Sequence, residues 1–78
     1  MRRRSHSEEY RRFRDQLVQA RKTAGLSQAE LAALLSQPQS FISKYETGER
    51  RLDLIEFLEI ARVLQVDIVA FISDLQQP

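Results

Sequence analysis

The 78-residue chain contains no cysteine, which excludes two common ways of stabilising a small fold. Neither a disulfide bond nor a cysteine metal site can form, and this fits the reducing cytosol. The only histidine, His6, has no ligand partner, so we assign it no role. We therefore predict a chain that carries no metal and no cofactor.

Long apolar runs are also missing from the sequence. No run approaches the ~18 residues of a membrane span, and the N-terminus lacks the apolar segment of a secretory signal. The apolar content of 42% suffices for one small core, and the length allows one domain. These features predict a soluble, cytoplasmic, single-domain protein with no membrane partner.

The sequence lacks the residue combinations that support catalysis. It contains no paired nucleophile and base, no phosphate loop and no metal-ligand cluster. The side chains that resemble catalytic groups are better explained by their positions on one helix; they are Ser40, Ser43, Lys44 and Glu46. We predict that the protein is not an enzyme.

Positive and negative charges are unevenly distributed along the chain. Residues 1–52 contain 11 Lys and Arg against 6 Asp and Glu, a net charge of +5. Residues 53–78 contain one Arg against 5 acidic residues, a net charge of −4. This asymmetry indicates one face for a polyanion and another turned away from it, although an ordinary solvated surface would also produce it.

The chain divides into a tail, one domain and a short end. Residues 1–7 are predicted to be a flexible basic arm, residues 8–75 a single folded domain, and residues 76–78 a frayed C-terminus. The arm contains Arg2, Arg3 and Arg4, for which there are two explanations. One is contact with DNA phosphates or a minor groove, and the other is that the arginines only make the chain more soluble.

The spacing of apolar residues predicts five helices and no strand. Helix 1 runs from about residue 8 to residue 24, with Ser7 as its N-cap and Gly25 as the left-handed residue that ends it. Helix 2 begins with a capping box formed by Ser27 and Glu30. We expect the side chains of Arg11, Arg12 and Arg14 to be largely solvated; the alternative is that they contact phosphates.

The later helices follow from similar signals. Helix 3 is expected to begin at Pro38 and to end near residue 45 or 46. Helix 4 runs from its N-cap Asp53 to Leu64, and Asp67 caps the last helix. The residues predicted to face the core from helices 2 and 4 are Leu31, Leu34 and Leu35, and Leu54, Phe57, Leu58, Ala61 and Leu64. On the last helix the residues predicted to share one face are Ile68, Phe71, Ile72 and Leu75.

Helix 3 has an apolar side and a polar side. At ~100° per residue, Phe41, Ile42 and Tyr45 cluster around one pole. The other pole carries amide, hydroxyl and ammonium groups and no carboxylate; these residues are Gln39, Ser40, Ser43 and Lys44. Such a row on a short exposed helix suits the major groove of DNA, where base edges offer donors and acceptors.

Two segments together resemble a known family. LSQAELA at residues 26–32, followed by ISKYE-x-G at residues 42–48, is similar to the Cro/cI-type (XRE-type) helix-turn-helix family. The likeness extends over roughly residues 17–72. It implies a compact, lambda-repressor-like fold of five helices with the helix-turn-helix at helices 2 and 3. It also implies a transcriptional regulator, repressor or activator, that binds a double-stranded DNA operator as a two-fold dimer.

The resemblance implies two sets of DNA contacts. The polar face of helix 3 would read bases, with Gln39 as the best candidate because an amide pairs with adenine N6 and N7. Lys44 would reach either a guanine or a phosphate. The phosphate contacts would come from the start of helix 2 and from the end of helix 3 and its following loop; they are Gln28, Thr47, Arg50 and Arg51.

Other matches and mismatches concern structure. Arg21 and Glu46 match a family pair that joins helix 1 to the end of helix 3, which implies a structural role. Ser36 replaces the usual turn glycine, so we expect either strain of ~1 kcal/mol at a left-handed position or a differently bent turn. Gln37 replaces a buried aliphatic residue, which leaves the pose of helix 3 open.

Aliphatic residues at unusual positions suggest a partner surface. Ile55 and Val69 stand where the family usually has polar residues, and Ile72 lies on the same last helix as Val69. Grouped exposed aliphatics predict a homodimer interface centred on these three residues. The alternative is that they fill the core of a small monomer.

Two functions are compatible with these sequence features. The first is a sequence-specific DNA-binding transcriptional regulator, most simply a repressor, that reads the major groove with helix 3. The second is a protein-interaction module on the same fold, such as an antitoxin that holds a protein partner with its exposed apolar patch. Weak or absent base preference would favour the second.

Overall fold

The computed structural model describes residues 6–77, which form five α-helices without a strand. The helices are α1 (His6–Thr23), α2 (Gln28–Leu34), α3 (Gln39–Thr47), α4 (Leu54–Leu64) and α5 (Ile68–Gln76). The predicted all-α fold is therefore confirmed. Within the described residues, no helix is long and apolar enough to cross a membrane.

The core joins all five helices around α1. Its fully buried side chains come from α1, α2, α3 and α4; they are Leu17, Leu31, Ile42, Tyr45 and Ile60. The rings of Phe13, Phe57 and Phe71 contact one another, with centroids 5.2 to 5.9 Å apart. Such aromatic contacts add stability beyond the burial of area, and here they hold α4 and α5 against α1.

Side-chain caps determine where the later helices begin. The capping box of α2 is formed by Ser27 and Glu30, as predicted. Asp53 caps α4 by accepting a hydrogen bond from the Glu56 backbone N–H. Asp67 caps α5 by accepting one from the Ala70 backbone N–H. These caps satisfy backbone donors that have no partner within the helix.

Several helix boundaries differ from the sequence prediction. Because α1 begins at His6, Ser7 lies inside the helix and is not its N-cap. Pro38 is the extended residue before α3, which begins one residue later than predicted. The last helix includes Gln76, which was predicted to lie beyond it. The arginines of the arm, at positions 2 to 4, lie outside the described residues.

The predicted core was wrong at two positions. Leu34 and Leu54 are 60% and 67% exposed. Leu34 is the last residue of α2 and Leu54 the first of α4, so a neighbouring helical turn is missing on one side of each. Ile60, which the prediction omitted, is buried in the stripe of α4 that also contains Phe57.

Candidate nucleic-acid interface

The start of α2 is defined by two reciprocal hydrogen bonds. The Glu30 backbone N–H donates to Ser27 Oγ at 3.0 Å, and the Ser27 backbone N–H donates to Glu30 Oε1 at 2.8 Å. These bonds hold the pKa of the Glu30 carboxyl below its usual value. As a result Gln28 is the first helical residue of α2 and stands beside α3.

The turn between α2 and α3 requires a left-handed residue. Ser36 has a φ of 55°, which lies in the left-handed region. Of the two expected outcomes, the structure therefore shows a non-glycine residue in the left-handed conformation and not a differently bent turn. The Gln37 backbone N–H donates to the Ala32 carbonyl at 2.9 Å and closes the turn. The Gln37 side chain is exposed, so it does not take the place of the buried aliphatic residue that the resemblance implied.

α3 presents its polar residues to solvent. Ile42 and Tyr45 are fully buried beneath the helix, whereas Gln39, Ser40 and Lys44 are exposed. Ser43, the fourth residue predicted on this face, is half-buried. The exposed surface of α3 therefore offers hydrogen-bond donors and acceptors between Gln39 and Lys44, a stretch without a carboxylate.

The hydroxyl of Tyr45 lies in the core without a hydrogen-bond partner among the described residues. Burial is the main cause that raises its pKa, and the carboxylate of Glu46 adds to the effect. The phenol is therefore neutral across the physiological pH range. Tyr45 anchors the underside of α3 and does not take part in the exposed face.

Arg21 and Glu46 form an ion pair between α1 and the end of α3. Arg21 Nε donates to Glu46 Oε2 at 2.8 Å, and Arg21 Nη2 donates to Glu46 Oε1 at 3.1 Å. Their side chains are only 11% and 6% exposed. The bond to Glu46 raises the pKa of Arg21. The third Arg21 nitrogen, Nη1, donates to the Leu26 carbonyl at 2.9 Å, so the pair also holds the connection between α1 and α2.

A chain of hydrogen bonds extends from this pair to the exposed face. Gln28 Nε2 donates to Glu46 Oε1 at 2.8 Å, which turns Gln28 Oε1 outward. Gln39 Nε2 donates to that oxygen at 3.4 Å. The amide of Gln39 is thereby oriented by Gln28, and Gln28 by Glu46. The Gln39 oxygen and one of its N–H groups remain for a ligand.

The loop after α3 holds two arginines against the protein. Arg50 donates from Nη1 and Nη2 to the Glu56 carboxylate at 3.0 and 2.7 Å, and its guanidinium lies 4.9 Å from the centre of the Phe41 ring. Arg51 stacks on Tyr10, with its guanidinium carbon 4.2 Å from the ring centre. Both side chains are exposed, and stacking leaves the N–H edge of Arg51 accessible.

Thr47 is the remaining residue of the predicted phosphate contacts. Its Oγ1 donates to the Lys44 carbonyl at 3.2 Å within the last turn of α3. Gly48 follows in the left-handed conformation, with φ of 89°. The Arg50 backbone N–H then donates to the same Lys44 carbonyl at 3.2 Å, so the chain folds back over the end of α3.

Arg14 has a role that the sequence pattern did not predict. Its guanidinium covers Gly48, because a Cβ on that glycine would lie 2.7 Å from Arg14 Nη1. Arg14 Nε is buried without a hydrogen-bond partner among the described residues. The cation at the C-terminal end of α3 complements the helix dipole there. Its position one heptad before Arg21, on the same face of α1, was the available signal.

Arg12 also differs from the expected solvated side chain. It donates to the Gln77 and Asp74 carbonyls at 2.8 and 2.9 Å and so joins α1 to the end of α5. Arg11 is different, because its pair with Asp15 is a 4.0 Å contact between two exposed side chains. Of the three arginines, only Arg11 matches the expectation.

The three aliphatic residues of the predicted partner surface lie outside the core. Ile55, Val69 and Ile72 are 65%, 76% and 42% exposed. The alternative that they fill the core of the monomer was therefore wrong. Ile55 lies in the first turn of α4, and the other two lie on α5. Among residues 6–77, no group of His, Cys, Asp and Glu is arranged to hold a metal ion.

The comparisons with known proteins agree with this geometry. A helix-turn-helix family model matches residues 17–71, which include α2, the turn and α3. Among solved structures, the chain is similar to an XRE-family like protein from Pseudomonas syringae pv. tomato str. DC3000. The two share 48% identity and a TM-score of 0.85, over 91% of this chain and 87% of that chain. No curated protein sequence matches. The chain belongs to the XRE-type helix-turn-helix family of DNA-binding transcriptional regulators.

Proposed function

We propose that this protein is a sequence-specific DNA-binding repressor that inserts α3 into the major groove and acts in the cytoplasm. The observation that carries the proposal is the exposed polar face of α3, whose leading residue, Gln39, is oriented by a hydrogen bond from its amide to Gln28. An oriented amide binds a base with less loss of side-chain entropy than a free one. Family membership supports the DNA ligand.

Base reading is assigned to four residues on this face, Gln39, Ser40, Ser43 and Lys44. The free Oε1 of Gln39 accepts from adenine N6, and its remaining N–H donates to N7. Lys44 supplies a donor to guanine or to a phosphate at the other end of α3. Losing one bidentate base contact costs ~1–3 kcal/mol and relaxes the preference at that position.

Phosphate binding is assigned to residues beside this face. Gln28 and Thr47 lie near opposite ends of the α2–α3 unit, and Arg51 presents a stacked guanidinium from the loop. Arg50 contributes less, because its two terminal nitrogens are bound to Glu56 and part of its charge is neutralised. Counterion release by these cations makes binding weaken steeply as salt is raised.

The active form is a homodimer through Ile55, Val69 and Ile72. Two copies of α3 would then enter adjacent major grooves and read two half-sites about one helical turn, ~34 Å, apart. Occupation of an operator by such a dimer excludes polymerase from a promoter that overlaps it. The exposure of all three residues supports this assignment.

The test is selection of bound duplexes from a random library at two salt concentrations, ~0.05 and ~0.2 M. We expect a palindromic motif from the unchanged protein and a degraded motif, at one position of each half-site, from Gln39→Ala. Gln19→Ala is the matched control, because it removes another exposed amide, on α1. Its motif should be unchanged.

The second candidate function is an antitoxin or related protein-interaction module, which the exposed aliphatic residues also favour. If no motif is recovered and binding is only salt-sensitive, this function replaces the first. A motif that is unaffected by Gln39→Ala would keep DNA recognition but remove α3 base reading from the proposal.

A further inference from the structure

An open groove lies on a part of the surface that the proposed functions do not use. It has a volume of about 920 Å³ and is lined by residues of α1 and α5, by Leu34 from α2, and by residues 63–67 at the end of α4 and in its connection to α5. No residue of α3 lines it, and neither do Ile55, Val69 and Ile72. An occupant of the groove would leave the DNA-reading face and the dimer surface free.

The groove surface is largely apolar. The side chains that contribute apolar area include Leu26, Leu34, Val63, Val66, Ala70 and Phe71. Leu34, at 60% exposed, is a large aliphatic residue whose position the core of the monomer does not explain. A largely apolar lining of this kind suits the apolar side of a partner.

The charges in the groove are all of one sign. Among the described residues that line it, Asp15, Asp67 and Asp74 are acidic and none is Lys or Arg. The neighbouring Arg12 does not line the groove, but it lies beside Asp15 and Asp74 and offsets part of their charge. Its guanidinium donates to the main-chain carbonyls of Asp74 and Gln77. Asp15 has only a 4.0 Å contact with Arg11. The groove is therefore apolar with an acidic border.

The negative charge of the groove favours some binding partners over others. DNA is repelled by three carboxylates. A second copy of the chain already has a place in the proposed homodimer, through Ile55, Val69 and Ile72, and none of these residues lines the groove. A segment that combines an apolar face with Lys or Arg is complementary to both features of the groove.

We propose that this groove binds a basic amphipathic helix of a partner protein. The α1 wall runs from Asp15 to Thr23, which corresponds to ~12 Å of helix. That length accommodates a helix of two to three turns with apolar anchors at i, i+3, i+4 and i+7, the usual pattern of helix-in-groove recognition. Because α3 is not involved, the partner would bind the regulator while it occupies DNA.

The test uses a fluorescein-labelled peptide of about 14 residues, with Leu at the anchor positions and Lys at the positions beside them. The matched peptide carries Glu in place of every Lys. With the full chain, we expect the Lys peptide to bind at least ~10-fold more tightly than the Glu peptide. Ala70→Arg, which places a cation in the groove, should weaken Lys-peptide binding by at least the same factor.

Ser73→Arg is the control variant, because it adds the same charge to exposed α5 at a position that does not line the groove. It should leave peptide affinity within about threefold of the unchanged protein. Amide chemical shifts should move at Gln16, Gln19 and Ala70. No binding at ~1 mM peptide, equal binding of both peptides, or equal effects of the two substitutions would overturn the proposal.

Discussion

At the scale of single residues, Glu46 has more structural partners than any other polar side chain of α3. It accepts two hydrogen bonds from Arg21 and one from Gln28, in a nearly solvent-free position. Removing one member of a buried ion pair leaves the other charge without compensation. We expect Glu46→Ala to lower the free energy of unfolding by ~3–5 kcal/mol, measured by urea denaturation.

Asp15→Ala provides the contrast for that measurement. It removes a carboxylate from an exposed pair with a 4.0 Å separation, and such pairs contribute at most ~1 kcal/mol. Similar losses in the two variants would mean that the Arg21–Glu46 pair contributes no more than a surface pair. The double variant Arg21→Met/Glu46→Met should recover part of the loss, because no unpaired charge is then buried.

Ser36 is a residue whose backbone conformation conflicts with its side chain. Its φ of 55° lies in the left-handed region, which costs a residue with a Cβ ~1 kcal/mol. Glycine avoids that cost but makes the unfolded chain more flexible, so we expect Ser36→Gly to stabilise the protein by ~0.5 kcal/mol. The β-branched variant Ser36→Val should destabilise it.

The neighbouring exposed Gln37 is the control for the turn, since it does not have a positive φ. Gln37→Gly should destabilise the protein or leave it unchanged, because glycine there only increases the entropy of the unfolded chain. Thermal unfolding of the three variants checks the sign. A gain from Gln37→Gly equal to that from Ser36→Gly would show that strain at Ser36 is not the cause.

At the scale of elements, the two capping boxes should make stability depend on pH. Hydrogen bonds from Ser27 lower the pKa of Glu30, and Arg50 followed by the Asp53 backbone N–H lowers the pKa of Glu56. A carboxyl whose pKa is lower in the folded state stabilises the fold above its unfolded pKa, near 4.5, and loses this effect as pH falls through the folded value.

We therefore expect the free energy of unfolding to decrease as pH falls below about 4.5. Glu30→Gln/Glu56→Gln should flatten that decrease, because the two capping carboxylates no longer titrate. Urea denaturation at several pH values between 3 and 7 provides the measurement. The control Glu49→Gln removes an exposed loop carboxylate and should leave the dependence of the free energy of unfolding on pH unchanged. If the double variant has the same pH dependence as the wild-type protein, the explanation is contradicted.

The helices themselves were predictable because their signals are local. Ser27, Asp53 and Asp67 each cap a helix within three residues of the position they satisfy. Leu34 and Leu54 were misassigned because periodicity places a residue on a helix face but does not say whether another helix covers it. That information comes from tertiary packing.

The candidate site was predictable in part. The polar face of α3 follows from helical geometry alone, and the structure leaves Gln39, Ser40 and Lys44 exposed. The contact of Arg14 with Gly48 joins residues far apart in the sequence, so the heptad spacing to Arg21 indicates the face of α1 but not the residue that Arg14 contacts. The bond between Gln39 and Gln28 depends on two side-chain conformations, which residue types do not determine.

At the scale of the whole molecule, the proposed dimer is tested by its mass in solution. We expect the unchanged protein to sediment as a dimer at high micromolar concentration, and Ile55→Glu/Val69→Glu to sediment as a monomer because buried carboxylates would face each other. Leu34→Glu is the control, since it places the same charge on a different exposed aliphatic residue. A monomeric unchanged protein would exclude the interface.

A dimer that reads DNA also imposes a spacing on its operator. Two half-sites about one helical turn apart, ~10 bp, place both copies of α3 on the same side of the duplex. Inserting ~5 bp between them rotates one half-site to the opposite side, so we expect affinity to fall to that of a duplex with a single half-site, at least ~100-fold weaker.

The comparison requires three duplexes of equal length: the selected operator, the spaced operator and one with a scrambled half-site. Fluorescence anisotropy measures each affinity. Ile55→Glu/Val69→Glu should bind the operator and the spaced duplex equally, because a monomer reads one half-site without reference to the other. If the unchanged protein also ignores the insertion, the two half-sites are read independently, and the dimer is not the form that binds DNA.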